Sequence, residues 1–307
     1  MRADFFESLL KLAKENDSIY LLVGDLGYSF VEPFQQQFPN QFLNVGVAEQ
    51  NMIGIAAGLA LSGKIAFCYS IANFPTARCY EQIRNDVCYH NSDVKIVSSG
   101  GGVGYGNLGV THHTTEDIAI MRALPNMTIV APGDNIESGL ATRAIALRRG
   151  PCYLRLAKAS AMRVHHSAPD FEIGKAITIK HGEDVALIST GGMLTNAVSA
   201  SALLEEHGIS CEVLSMHTLK PIDDKTILSL AGRVKLIVSL EEHGPIGGLG
   251  SAVSEVVSQE GGNKTPILRL SIDDPFANIV GSQEFLQQYH GLSVESIVKK
   301  VTERLKP

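Results

Sequence analysis

The sequence predicts an α/β protein built from two doubly wound domains with mostly parallel sheets. Three observations support this fold class. Short apolar runs alternate with helical patterns along the chain, a polar segment divides it near the middle, and 45% of the 307 residues are hydrophobic. Such alternation is typical of parallel sheets covered by helices, and a chain of this length is expected to form about two domains of roughly 100 to 200 residues each.

The first half begins with an amphipathic, mixed-charge helix in MRADFFESLLKLAKEND. The apolar runs that follow are predicted strands: IYLLVGD, KIAFCYS, VKIVSS, MTIVAP and CYLRLA. Helical patterns start near Ala48, Pro75, Glu116 and Asn135. Because strands and helices alternate, residues 1–160 are predicted to form the first doubly wound domain.

The second half repeats this organisation on a smaller scale. Its predicted strands are DVALIST, SCEVLSM, VKLIVSL and PILRLS, and its helices begin near Met193, Asp223 and Gly248. Between the halves, KASAMRVHHSAPDFEIGKA is polar, is interrupted by Pro169 and has no sustained period, which is typical of a linker. The second domain is therefore predicted over residues 175–307.

The net charge and the apolar stretches of the sequence argue against a nucleic-acid-binding, secreted or membrane protein. There are 26 Lys and Arg against 32 Asp and Glu, a net charge of −6, and no basic run suited to a nucleic acid or an anionic membrane surface. The N-terminus lacks the pattern of a signal peptide. The longest apolar stretch, MIGIAAGLAL, is half the roughly 20 residues that a membrane helix needs. A cytoplasmic protein without nucleic-acid or membrane partners is expected.

The five cysteines are predicted to be buried free thiols. They are odd in number and scattered, with no CxxC pair, a pattern that favours neither a disulfide framework nor a thiolate zinc site. The chain also lacks a phosphate loop, an HExxH motif, and a GDG followed by paired asparagines that would hold magnesium and a diphosphate. VGDLG at 23–27 lacks those asparagines, so no residue of this chain is assigned as a metal ligand.

Two glycine-rich segments follow predicted strands. SSGGGVGYGNLGVTHHTTED, residues 98–117, is a poor dinucleotide fingerprint because about ten residues separate its glycines from the next helix. A loop that lets the backbone approach a ligand, with His112 and His113 at its end, fits better. The glycines of EEHGPIGGLGSAVSE are explained by close packing of a strand-to-helix turn.

Glu49 is the only charged residue between Glu32 and Lys64, and it begins an apolar helix. A carboxylate there can stabilise the helix N-terminus. Apolar surroundings would also favour its neutral form and suit it to sharing a proton. The residues alone leave both interpretations open. The expected apolar neighbours are Val45, Val47, Met52, Ile53 and Ile55.

The segment NVGVAEQNMIGIAAGLAL resembles the pyrimidine-binding motif of transketolase-like thiamine diphosphate enzymes. The resemblance continues through YSIANFPTARCYEQIRNDVCYHN, GVTHHTTEDIAIMRALPNMTIVAPGD and CYLRLAK. It then extends into the C-terminal domain of the same family, through VALISTGGMLTNAVSASALLEEHGISCEVLSMHTLKPID and EEHGPIGGLGSAV. Nearly the whole chain is covered. The resemblance implies a pyrimidine-binding domain followed by a transketolase C-terminal-type domain.

The resemblance also implies a set of cofactor-binding residues. The glutamate matching Glu49 hydrogen-bonds the aminopyrimidine of thiamine diphosphate and protonates its ring nitrogen N1′, which activates the thiazolium carbon. Phe74 occupies a position of the aromatic wall against that ring. Ile71 and Ala77 stand at further wall positions, so a less aromatic pocket is expected. Asp25, in the VGDLG segment, completes the predicted cofactor-binding set.

Substrate contacts are implied on the same basis. His112 matches the histidine that faces the reacting carbon, and is expected to shuttle protons or bind a substrate oxygen, with His113 behind it. Lys158 stands where transketolases place a phosphate-contacting arginine, and Ser29 and Arg2 lie at roughly matching positions. A lysine supplies a point charge rather than a bidentate fork.

Two departures argue against assuming the usual sugar-phosphate substrate. Leu108 stands where the family has an acidic residue that contacts a substrate hydroxyl. SSGGG stands where it has a phosphate-binding histidine. The sequence therefore predicts a sugar-type substrate and leaves open whether it carries phosphate.

The expected assembly is a heteromer. Because the sequence begins with the pyrimidine-type domain and carries no metal motif, the resemblance implies a separate N-terminal transketolase subunit that holds the diphosphate and Mg²⁺, in a complex of two plus two chains. The predicted activity is transfer of a two-carbon ketol unit between sugar or sugar-phosphate substrates.

Two alternatives stay open at this stage. SMHTLKPID and EEHGPIGGLGSAV also resemble the beta subunit of a 2-oxoacid dehydrogenase decarboxylating component and deoxyxylulose phosphate synthases. A non-catalytic partner subunit is the third possibility. The presence of Glu49 and Phe74 argues against it.

Overall fold

Two mostly parallel sheets organise the protein, as the sequence predicts. The computed structural model describes residues 1–158, 163–259, 265–273, 276 and 278–306. Within this described part, one sheet has seven strands and the other has five. The predicted fold class is confirmed.

The first segment of the chain supplies six strands of the larger sheet and six of the helices. In chain order its elements are α1 (Arg2–Glu15), β1 (Ile19–Val23), α2 (Glu32–Gln37), β2 (Phe42–Asn44), α3 (Glu49–Leu61), β3 (Ile65–Ile71), α4 (Tyr80–Gln82), β4 (Val94–Ser99), α5 (Asp117–Ala123), β5 (Thr128–Val130), α6 (Asn135–Leu147) and β6 (Cys152–Leu156). Short 3₁₀ turns lie at Pro39–Gln41, Ala77–Cys79 and Gly106–Thr111, and a π-helical turn covers Ile83–Cys88.

The second segment supplies the smaller sheet and its helices. Its elements are β7 (Ile177–Lys180), β8 (Val185–Ser189), α7 (Met193–Glu206), β9 (Cys211–Ser215), β10 (Thr218–Lys220), α8 (Asp224–Ala231), β11 (Leu236–Leu240), α9 (Leu249–Gln259), β12 (Ile267–Leu270), α10 (Gln283–Tyr289) and α11 (Val294–Leu305). All nine predicted strands are present. The predicted helix starts agree within one residue, apart from the one near Pro75.

The helix predicted near Pro75 is the clearest error in the secondary structure. The chain instead forms a 3₁₀ turn at Ala77–Cys79, the short α4 and then the π-helical turn. The apolar runs also failed to predict β2, β7 and β10. Two of these strands have only three residues, which is too short for a period to be recognised.

The larger sheet has the order β10-β5-β6-β4-β3-β1-β2, and its pairs are parallel except β10 with β5. Its central strands are buried and largely apolar because helices cover both faces of the sheet. Phe5 and Ile145, from α1 and α6, pack on one face, whereas Met52 and Ile118, from α3 and α5, pack on the other; all four are buried. Each such side chain contributes roughly 1.5–3 kcal/mol on burial.

The smaller sheet has the order β12-β11-β8-β9-β7, with β7 antiparallel to β9. Strand β10 leaves this domain and pairs with β5 of the larger sheet, where Thr218 lies opposite Val130. The backbone N–H of Ala131 extends this connection by donating to the carbonyl of His217 at 2.7 Å. The predicted boundaries, residues 1–160 and 175–307, therefore assign β10 to the second domain although it completes the sheet of the first.

The linker is fastened to the start of α6. The Asp134 carboxylate accepts backbone N–H bonds from Val164 and His165, both at 3.0 Å, and the His165 ring lies 2.8 Å from the Glu137 carboxylate. The hydrogen bond to Glu137 raises the pKa of His165. Residues 159–162 of the predicted linker lie outside the described residues.

The structure also describes the cysteines, the groups that could bind a metal and the lengths of the helices. All five cysteines are free and lie in the interior, as predicted. In the described ranges, no group of three or more His, Cys, Asp or Glu side chains could hold a metal ion. None of the helices described here is both long enough and apolar enough to span a bilayer.

Candidate active site

The predicted cofactor residues gather at one edge of the larger sheet. Strands β6, β4, β3, β1 and β2 are consecutive neighbours and run parallel, so the segments after their carboxyl ends meet at that edge. These segments are residues 24–29, 45–49, 72–76, 100–113 and 157–158. The carboxyl edge of a parallel sheet is the usual ligand site of open α/β folds.

Glu49 is the first residue of α3 and is only 1% exposed. Its Oε2 lies 2.8 Å from Nη1 of Arg78, and its Oε1 accepts from the Ser70 hydroxyl at 3.5 Å. Both oxygens thus bond to side chains of other elements, so helix capping does not describe their role. Met52 and Ile53 are buried beside it as expected, but Val47 is 76% exposed and does not cover the carboxylate.

Arg78 is the residue of this site that the sequence did not reveal. Its guanidinium bonds Glu49, and its central carbon lies 4.6 Å from the centre of the Phe74 ring. The side chain is 46% exposed. The only available signal was a basic residue four positions after Phe74, which is not specific. Arg78 joins the predicted acid to the predicted aromatic wall.

His112 continues this chain of contacts. Its ring lies 5.2 Å from the Phe74 ring in an edge-to-face arrangement and 5.9 Å from that of Tyr105. The Thr111 hydroxyl lies 3.0 Å from its Nδ1. Burial, followed by the charges of His113 and Lys158, lowers the pKa of His112. The imidazole is therefore favoured in its neutral form, which can both accept and donate a proton.

His113 and Lys158 take different positions. His113 is buried, and its Nε2 lies 3.0 Å from the carbonyl of Gly106, so it fastens the turn that carries His112. Lys158 is exposed, and its ammonium lies 4.3 Å from the centre of the Tyr105 ring. Tyr105, which the sequence did not single out, therefore places Lys158 on the His112 side of the site.

Asp25 shapes the segment that leads to Glu49. The Asn44 amide donates to the Asp25 carboxylate at 3.0 Å, and its oxygen accepts from the backbone N–H groups of Asp25 and Gly46, both at 3.0 Å. Asp25 is exposed and has a positive φ of 54°. The hydrogen bonds of Asn44 with Asp25 and Gly46 fix the backbone between β1 and α3. Ile71, the further predicted cofactor residue, ends β3 and is half-buried.

Arg2 and Ser29 make their contacts with the residues that follow β1. The Arg2 guanidinium carbon is 4.9 Å from the centre of the Phe30 ring. The backbone N–H of Ser29, a residue with φ of 71°, donates to the Glu32 carboxylate at 2.9 Å. The first contact holds the loop after β1 against α1, and the second joins that loop to the start of α2.

A buried ion-pair network supports the glycine-rich loop from behind. Nε of Arg155 in β6 lies 2.6 Å from the Asp117 carboxylate at the start of α5, and its Nη2 donates to the carbonyls of Thr114 at 2.9 Å and Glu242 at 3.0 Å. Gly102, with φ of 71°, lies against Glu242, and a Cβ there would come within 2.6 Å of that carbonyl. A glycine is required at this close approach.

The Glu242 carboxylate ties this network to the start of α10. It accepts bonds from the Gln283 amide at 2.9 and 3.0 Å and from that of Gln287 at 3.3 Å. Burial raises the pKa of Glu242 to about 7, against the lowering effects of Gln283 and Arg155. The folded state therefore binds a proton here more readily than the unfolded chain does.

We expect the stability contribution of Glu242 to depend on pH. A raised folded-state pKa means that the contribution is present below about pH 4.5 and is lost as pH rises through about 7. The free energy of unfolding of wild type, relative to Glu242→Gln, should fall by on the order of 3 kcal/mol between pH 4.5 and pH 8. Urea unfolding at several pH values measures this difference, and parallel pH profiles for the two proteins would contradict it.

These features define a class: a two-domain α/β protein whose candidate ligand site lies at the carboxyl edge of a parallel sheet. A buried acid pairs there with an arginine, the arginine lies over an aromatic ring, and that ring contacts a histidine. Residues 1–163 match the transketolase pyrimidine-binding domain, and residues 174–297 match the transketolase C-terminal domain. The chain belongs to the transketolase family.

Individual relatives agree with this assignment over their full length. The chain is 41% identical to a protein of Methanocaldococcus jannaschii named as a transketolase C-terminal section, covering 100% of this chain and 96% of that protein. It is 38% identical to a 6-deoxy-6-sulfo-D-fructose transketolase subunit of a Clostridium species, covering 99% and 95%. A split-gene transketolase, solved as an inactive β4 tetramer, superposes with a TM-score of 0.91 at 36% identity, covering 98% and 97%. The predicted relation to transketolase C-terminal chains is confirmed.

Proposed function

We propose that this chain is the pyrimidine-binding, C-terminal subunit of a split thiamine diphosphate-dependent transketolase, which transfers a two-carbon ketol unit between sugar-type substrates. One observation supports this most directly. A carboxylate that is almost fully buried, Glu49, pairs at the carboxyl edge of the sheet with Arg78, whose guanidinium lies over the Phe74 ring, and that ring contacts the half-buried His112.

The residues present fit the pyrimidine end of this cofactor. Glu49 offers a carboxylate that accepts hydrogen bonds. Phe74 offers a ring face, now covered by Arg78, on which a flat heterocycle can stack in its place. Gly24 leaves room beside the acid, since a Cβ at that position would stand 3.5 Å from Oε1 of Glu49. Ile71 ends β3 directly after Ser70, which bonds Glu49, and Asp25 follows Gly24 in the turn after β1.

Each residue has a chemical role in this proposal. Thiamine diphosphate supplies a carbon nucleophile that stabilises negative charge on the transferred ketol group. Glu49 offers a carboxylate in a site with little water, where a hydrogen bond between this group and a ring nitrogen is stronger than in solution. His112, kept neutral by burial, can take a proton from a substrate hydroxyl and return it.

The substrate side is assigned to residues around the glycine-rich loop. Lys158 places a positive charge near His112 through its contact with Tyr105, and suits a carboxylate, phosphate or sulfonate group on the substrate. His113 fixes the turn behind His112. Arg2 and Ser29 complete the proposed substrate set, and their contacts lie on the segment after β1.

The diphosphate and Mg²⁺ are assigned to a separate N-terminal subunit, and the active form to a complex of two plus two chains, in the cytoplasm. The lengths of the relatives support this division, because proteins named as a transketolase section and a transketolase subunit are covered almost completely by a chain of this size. The split-gene neighbour, solved as an inactive tetramer of one chain type, supports it further.

We expect the isolated chain to bind thiamine diphosphate weakly or not at all. It contributes contacts to a neutral ring but not to the charged tail, and each tenfold of affinity needs about 1.4 kcal/mol. Calorimetric titration with thiamine diphosphate and Mg²⁺ measures this, with the reconstituted complex as the positive control. Tight Mg²⁺-dependent binding to this chain alone would contradict the division of the site.

Reconstitution tests the activity itself. The chain is mixed with the N-terminal transketolase subunit of the same organism and assayed with ketose donors and aldose acceptors. Transfer of a two-carbon unit without release of carbon dioxide supports the proposal. Release of carbon dioxide from pyruvate or another 2-oxoacid would instead favour a decarboxylating enzyme.

A further inference from the structure

Arg78 makes two contacts of the same kinds that are assigned above to the aminopyrimidine ring. One of its N–H groups lies 2.8 Å from the Glu49 carboxylate, and its guanidinium carbon lies 4.6 Å from the centre of the Phe74 ring. A guanidinium is flat, donates N–H bonds and stacks on aromatic faces. A flat heterocycle with N–H donors would need the same carboxylate oxygen and the same ring face.

We infer that Arg78 occupies the ring position in the free subunit and leaves Glu49 when the cofactor binds. This inference rests on the proposed function. It makes Arg78 a positioning residue that covers the acid before assembly, rather than a catalytic residue of the loaded site.

The surroundings of Arg78 allow this exchange. Its side chain is 46% exposed, whereas the Glu49 side chain is 1% exposed, so the cation can turn into solvent while the acid stays in place. The amide of Gln50 donates to the carbonyl of Arg78 at 3.1 Å and anchors the backbone. The guanidinium can therefore move without displacing the turn at Ala77–Cys79.

The charge of the site explains why a covering group is useful. A carboxylate buried without a partner is unfavourable because its desolvation is not offset. Arg78 supplies a partner in the free chain, and the ring would supply one in the complex. Since an ion pair with an exposed partner contributes little net free energy, the exchange needs only a modest gain in binding.

Cofactor affinity of the reconstituted complex tests the inference. Calorimetric titration with thiamine diphosphate and Mg²⁺ is carried out on wild type, Arg78→Ala and Arg78→Lys. Because the competing contact is removed, Arg78→Ala should lower the dissociation constant by roughly three- to tenfold. Arg78→Lys, which keeps the cation and loses the flat fork, should give an intermediate value.

A matched control separates this effect from a general loss of surface charge. Arg84 is exposed, lies in the π-helical turn six positions further along the chain and contacts Asn85 at the surface. The affinity of Arg84→Ala should equal that of wild type. An unchanged or weakened affinity in Arg78→Ala would overturn the inference.

Thermal unfolding provides a second readout. Without cofactor, Arg78→Ala should melt about 2–4 °C below wild type, because Glu49 loses its partner. With saturating cofactor, the midpoints of the two complexes should converge, since the ring then replaces Arg78 in both. An equal difference in both states would mean that Arg78 is merely structural and would overturn the exchange.

The two proposals fail in different ways. If Glu49→Gln abolishes binding while Arg78→Ala leaves affinity unchanged, the exchange is wrong and the proposed function stands. If the wild-type complex does not bind thiamine diphosphate, both are wrong.

Discussion

Glu49→Gln is expected to reduce ketol transfer by the reconstituted enzyme by at least about a hundredfold. The amide matches the carboxyl group in size and still accepts a hydrogen bond, but it cannot transfer a proton. Acid–base groups in active sites contribute about 10²–10⁴ in rate. Because the side chain is 1% exposed, water cannot easily take over its role. Steady-state rates at saturating cofactor measure the effect.

The matched control for this variant is Glu81→Gln. Glu81 is exposed, and lies in α4 close along the chain to Arg78. Its replacement should leave the rate unchanged. The thermal midpoint of Glu49→Gln should stay within a few degrees of wild type, since its ion pair with Arg78 has an exposed partner. Near-normal turnover by a folded Glu49→Gln enzyme would remove the central support of the proposed function.

Asp117→Asn is expected to lower the free energy of unfolding by about 3–5 kcal/mol. The change leaves the Arg155 guanidinium buried without its charge partner, and removing one member of a buried pair costs about this much. Asp117 also accepts a hydrogen bond from the Tyr153 hydroxyl at 2.5 Å, so two buried groups lose a charged acceptor. The first transition in urea unfolding, followed by circular dichroism, measures the loss.

A surface pair serves as the control for Asp117→Asn. Arg122 and Glu255 form an ion pair at 2.6 Å in which Glu255 is largely exposed. Glu255→Gln should therefore change stability by less than about 1 kcal/mol. If Asp117→Asn cost no more than Glu255→Gln, the buried network would not be the support of the glycine-rich loop that its geometry indicates.

The sequence predicts the parts of this protein that depend on local pattern. Fully buried strands such as β8 and β11 are almost continuous apolar runs, which is typical of parallel sheets. Glu49 was recognisable because it is a single charge at the start of an apolar helix. His112 and Phe74 were predicted through resemblance to a family. In the structure Phe74 contacts Arg78, the partner of Glu49, and His112 contacts Phe74.

The parts that escaped prediction depend on contacts between distant segments. In the sequence Arg78 is one of many arginines, and only folding places it against Glu49. Val47 is apolar and lies within the motif, yet it is exposed, because apolarity does not fix the direction of a side chain in a turn. The pair formed by Asp117 and Arg155 spans 38 positions, which no local period can reveal.

The pairing of β10 with β5 has a consequence for dividing the chain. A fragment that ends before His217 would leave β5 as an edge strand with unpaired N–H and C=O groups. Bare strand edges invite pairing with other molecules and aggregation. The second segment thus supplies the strand that covers the edge of the first segment's sheet. Expression of the first segment alone would yield a product that self-associates through β5.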